Sequence, residues 1–63
     1  MKPTKGRIVI WKNSNSEEYA AIITKVWTDE VVNVGVFSSD YVEVTSARLG
    51  NGPHQWSWPR REE

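Results

Sequence analysis

A small all-β barrel, five-stranded and antiparallel, is the fold class this sequence predicts. Three observations predict it. The 63 residues hold several short runs rich in β-branched and aromatic residues. Turn-forming clusters separate those runs at short intervals. No stretch carries a convincing helical period with its stop signals. Five short strands joined by tight turns point to a small barrel forming a single domain.

Residues 6–11 read as the first strand. Ile8 and Ile10 share one face, and Arg7, Val9 and Trp11 share the other. The cluster Asn13-Ser14-Asn15-Ser16 makes a turn, because short polar side chains bond nearby backbone groups. Residues 18–27 read as the second strand, apolar on both faces. Ala20, Ile22, Thr24 and Val26 lie on one side, and Tyr19, Ala21, Ile23, Lys25 and Trp27 on the other. A helix competes for this segment through Ala20-Ala21-Ile22-Ile23. The β-branched density of Ile22, Ile23, Thr24 and Val26 argues against it.

Thr28-Asp29-Glu30 turns the chain into a third strand over residues 31–37, with Val32, Val34 and Val36 facing together. Gly35 inside it predicts a bulge, a bend or a close packing approach. A turn at 38–40 leads to a fourth strand over 41–45, with Val42 and Val44 inward and Glu43 outward. Residues 46–53 read as irregular, since Gly50-Asn51-Gly52-Pro53 is dense in chain breakers. A fifth strand over 55–58 ends at Pro59, which cannot donate to a ladder.

Composition narrows the function. Eight basic and eight acidic residues give a formal net charge of zero. A duplex-binding protein that works by phosphate neutralisation shows a basic excess, so that class is disfavoured. The first twelve residues nevertheless carry four cations and no acid, so a local basic patch forms if the two chain ends meet. There is no cysteine and only one histidine, His54. Disulfides and thiolate metal sites are therefore excluded, and no metal or other cofactor is expected. A chain this small buries a marginal core. Without a staple it relies on tight aromatic packing or on self-association into a homo-oligomer. No apolar run is long enough to span a bilayer, and no signal-peptide core follows Met1, so a cytoplasmic, non-membrane protein is the expectation.

Catalysis fails on inventory. The single histidine sits in a Gly/Pro-rich loop, and no serine carries a nucleophile signature around it. Glu17-Glu18 and Asp29-Glu30 are adjacent pairs whose side chains diverge in a strand or turn. Gly50-x-Gly52 lacks the helix that a phosphate loop needs. No catalytic residue is assigned.

The four tryptophans carry what remains. Trp27 ends the longest apolar strand and has the strongest claim to burial, with Trp11 next. Trp56 and Trp58 are two apart and share a face. They either fill the core or present a flat platform on which a base can stack, with nearby cations taking the phosphate. The candidate binding residues on the second reading are Trp56, Trp58, Arg60, Arg48 and Arg7. Asn33 joins them as a polar group on a strand face with Phe37. A hydrogen bond to a neighbouring loop explains Asn33 equally well. Phe37 itself is either part of a second cluster or an interface residue.

The segments Gly6-Arg7-Ile8-Val9, Glu18 through Trp27, Val32 through Phe37, Val44-Thr45-Ser46 and Trp56-Ser57-Trp58-Pro59 occur in this order in a group of very short proteins of tailed bacteriophages and prophages. The chain resembles that group over nearly its whole length. The loops at 13–16 and 38–40 are shorter than in many of its members. The resemblance implies phage origin and an SH3-like barrel; together with the cytoplasmic expectation above, the expected location is the host cytoplasm. It implies no mechanism and carries over no site residue. Two functions remain. One is a binding module for a nucleotide-like or anionic ligand or a short single-stranded nucleic acid. The other is a structural or protein-interaction role, self-association included.

Overall fold

The computed structural model describes residues 2–38 and 40–59. Five strands form a closed barrel in the order β1-β2-β3-β4-β5. They are β1 (Ile8–Lys12), β2 (Glu18–Val26), β3 (Val31–Phe37), β4 (Tyr41–Leu49) and β5 (Gln55–Ser57). This is a small barrel of the SH3-like type, and no helix occurs among the described residues.

The pairing corrects one expectation. β1–β2, β2–β3, β3–β4 and β1–β5 are antiparallel, but β4–β5 is parallel. Parity requires it. Strand direction cannot alternate all the way around a ring of odd number, so one junction must be parallel. Here β5 runs antiparallel to β1, and the parallel junction falls between β4 and β5. The loop at 50–54 therefore has to carry the chain back along the barrel. It is tied down by Gly50 N–H donating to the Trp56 carbonyl and by His54 N–H donating to the Lys12 carbonyl.

Residues directly opposite on paired strands share a face, so the register shows which side chains point inward. One inward row runs Val9, Ala21, Val36 and Val42. A second runs Ile23, Val34 and Val44. Val32 faces Ala47, and Trp11 faces both Tyr19 and Trp56. The core is Val9, Ala21, Ile23, Val32, Val34, Val36, Ala47 and Trp56, with Trp11, Tyr19, Val44 and Trp58 packed against it. Val32, Val34 and Val36, expected to face together, do so, and that shared face is the core. Val42 faces inward yet stays exposed. β5 pairs with β4 only at Arg48 and Leu49, so nothing from β5 covers that half of the strand.

Two bulges shape the barrel. One lies between Ile23 and Lys25 on β2, the other where Val32 and Val34 meet Ala47 and Val44. The second explains why β4 runs on to Leu49, although residues 46–49 read as irregular. Ser46 takes a left-handed φ of 57°, and the extra residue bends the strand without ending it. Asn33 holds that bend. Its Oδ1 accepts from Ser46 N–H at 2.8 Å and from Trp27 Nε1 at 2.9 Å. Asn33 thus makes structural hydrogen bonds across β3–β4 and to the β2–β3 turn. Asn33→Ala is expected to cost about 1–2 kcal/mol, the loss of two such bonds. Ser46→Gly is expected to stabilise by up to about 1 kcal/mol by relieving the left-handed strain. Urea denaturation of both variants checks the pair of opposite signs.

Gly35 marks a close approach: a Cβ there would run into the Tyr41 ring, which lies over the strand. Because the obstructing group is the end of a flexible, exposed side chain, Gly35→Ala should displace Tyr41 while leaving the barrel folded. The Tyr41 ring resonances in an NMR spectrum report that movement.

Candidate interaction face

The four tryptophans divide differently from expectation. Trp56 is 0% exposed and its Nε1 donates to the Glu30 carbonyl at 3.0 Å. It belongs to the core and offers no stacking face to a ligand. Trp58 is partly buried and meets Trp56 edge-on, with ring centroids 5.1 Å apart and planes at 80°. Arg7 lies over the Trp58 ring at 5.5 Å. Trp11 is half-buried against the core and tilts against His54 at 5.9 Å. Trp27, expected inside, is 53% exposed. β2 ends at Val26, and the bulge before Lys25 shifts the alternation so that Lys25 and Trp27 point out of the barrel. Lys25 Nζ sits 3.9 Å from the Trp27 ring centroid.

Of the residues singled out from sequence, Arg7 and Trp58 are brought together. Asn33 and Arg48 lie elsewhere, at the far end of β2–β3–β4. There Asn33 is opposite Lys25, and Arg48 is opposite Val31. Arg60 lies outside the described residues. A groove of about 490 Å³ is lined by Ile10, Lys12, Glu18, Asn51, Ser57, Trp58 and Pro59. Lys12 crosses it, donating to the Asn51 carbonyl at 2.9 Å and lying 4.0 Å from Glu18. Its cation is thereby already engaged.

The outer surface of the sheet is the feature sequence reasoning missed as a unit. Opposite residues place Ile10, Ala20, Phe37 and Tyr41 in one outward row across β1 to β4. The adjacent row is Ile8, Ile22, Gly35 and Glu43, with the Tyr41 ring covering Gly35. Ile8 is 58% exposed, Phe37 49% and Tyr41 57%. The Phe37 and Tyr41 rings pack together at 5.6 Å. Polar groups bracket the apolar rows. Lys12 and Glu18 stand at one end, and Lys25, Asn33 and Trp27 at the other. The available signal was the second apolar face of β2, Ala20 with Ile22, together with Phe37 on the face away from the β3 valines.

Among the described residues no group of three or more His, Asp or Glu side chains could hold a metal ion. No helix among them is long and apolar enough to cross a membrane. No family model, curated protein or solved structure matches this chain.

Proposed function

We propose that this chain is a non-catalytic protein-interaction module that docks a partner on the outer face of β1 to β4. The resemblance noted above favours a phage accessory protein acting in the host cytoplasm. The observation that carries the reading is the pair of apolar rows, Ile10–Ala20–Phe37–Tyr41 and Ile8–Ile22. They lie outside the core cluster, and Ile8, Phe37 and Tyr41 among them stay exposed. Exposed apolar side chains gathered in a patch and rimmed by polar groups mark interaction sites. The Phe37 and Tyr41 rings within it fit the residue types enriched at binding hot spots.

Photo-cross-linking tests it. A photoreactive residue at position 41, in the expressing cell, is expected to give a discrete protein adduct. The same residue at position 53, on the exposed loop before β5, is expected to give none. Absence of any adduct from position 41 would overturn the reading.

A second reading is favoured by one observation, the exposed Trp27 indole beside Lys25. That pair suits a nucleotide-like or anionic ligand better than the buried Trp56 does. If it operates, tryptophan emission is quenched on titration with ATP or oligothymidine, and Trp27→Phe abolishes the quenching. Emission that stays flat at millimolar ligand removes it.

A further inference from the structure

We infer that the partner of the outer face is a second copy of this chain, packed face to face about a two-fold axis. The inference rests on the interaction reading above and goes beyond it in naming the occupant. Its basis is the charge order along β2. The outward positions of that strand are Glu18, Ala20, Ile22 and, past the bulge, Lys25. An acid and a base thus stand at opposite ends of an apolar pair.

Two limiting arrangements bring the face against its copy. With the axis along the strands, the two β2 strands run parallel, and Glu18 meets Glu18 while Lys25 meets Lys25. With the axis across the strands, between the Ala20 and Ile22 rows, the two β2 strands run antiparallel. Glu18 then meets Lys25 of the second copy twice over, and Ala20 meets Ile22. Of the two, only the second sets the acid of β2 against the base, and the like-charge contacts of the first disfavour it. Isologous contacts of this kind need one self-complementary patch and close on themselves as a dimer.

The neighbouring charges are compatible with it. Glu18 also has Lys12 at 4.0 Å in its own chain, with the Glu18 side chain 46% exposed. Lys25 lies over the exposed Trp27 ring. Glu18 is therefore flanked by Lys12 and by Lys25 of the partner copy, a network rather than a single exposed pair. On β3 the Phe37 ring of one copy lies toward the Tyr41 ring that covers Gly35 of the other. Its charge contacts are solvent-exposed pairs, each of which contributes little, so the dimer is a weak one.

Sedimentation velocity of the full chain from roughly 10 μM to 1 mM, the range that brackets weak association, tests the inference. The unaltered protein is expected to shift from monomer to dimer. Glu18→Lys and Lys25→Glu are each expected to weaken dimerisation about tenfold or more, since each reverses two contacts per dimer. The Glu18→Lys, Lys25→Glu double variant is expected to restore it. Circular dichroism of dilute samples confirms that each variant is folded. Monomer throughout the range overturns the inference, as does a double variant no better than the singles. Failure here is separable from failure of the interaction reading. A discrete cross-link from position 41 to a protein of another mass keeps the docking face and removes the second copy.

Discussion

Trp56→Ala is expected to unfold the barrel. Trp56 is the largest side chain in the core and is fully buried. It touches three parts of the structure at once. It lies opposite Trp11 on β1 and Leu49 on β4, and its indole bonds the Glu30 carbonyl in the β2–β3 hairpin. Truncating a buried tryptophan costs about 3–5 kcal/mol through lost burial and the cavity left behind. A core of this size supplies roughly the same amount in total. Collapse of NMR amide dispersion at 25 °C is the expected readout. Trp27→Ala, at the exposed indole, is expected to cost no more than about 1 kcal/mol. The same substitution at two tryptophans thus separates the core from the surface.

Ile23→Ala is expected to be the next most damaging change, at about 2–4 kcal/mol. Ile23 is completely buried, opposite Val34, in the row that ends at Val44. Its carbonyl also accepts from Gly6 N–H and its N–H donates to the Arg7 carbonyl, which pins the chain entering β1. Small neighbours such as Ala21 and Ala47 leave little freedom to fill the cavity. Ile8→Ala, on the outer face, is expected to cost less than about 1 kcal/mol, the range of exposed strand positions. Urea midpoints of the two variants, at equal slope, give the comparison.

Much of the fold was legible because the period-two pattern is clear where one face is buried. Val32, Val34 and Val36 could face only the core, and the turn clusters at 13–16 and 28–30 fell between strands as their residues required. The parallel β4–β5 junction was not legible, because it follows from closing an odd ring rather than from any local pattern. The extension of β4 to Leu49 was hidden by Ser46, whose left-handed conformation is supported by a side chain thirteen residues away. The misplacement of Trp27 has a similar origin. Alternation predicts its side only if no bulge intervenes, and the bulge before Lys25 has no glycine to announce it.

The candidate site was legible only in fragments. Arg7 and Trp58 meet as charge and ring, but Trp56 is taken up by the core. Asn33 serves the β4 bulge. The apolar rows emerge only when the register brings Ile10, Ala20 and Phe37 side by side from three strands. Periodicity in one strand cannot show a surface assembled from several.

The most direct test of the docking face is the cross-link from position 41 in a chain carrying Ile8→Ser and Phe37→Ser. Both residues are exposed, so the fold is expected to survive. If the outer face is where the partner binds, the adduct yield falls roughly tenfold or more, as for loss of hot-spot contacts. An undiminished yield in the folded double variant would contradict the account.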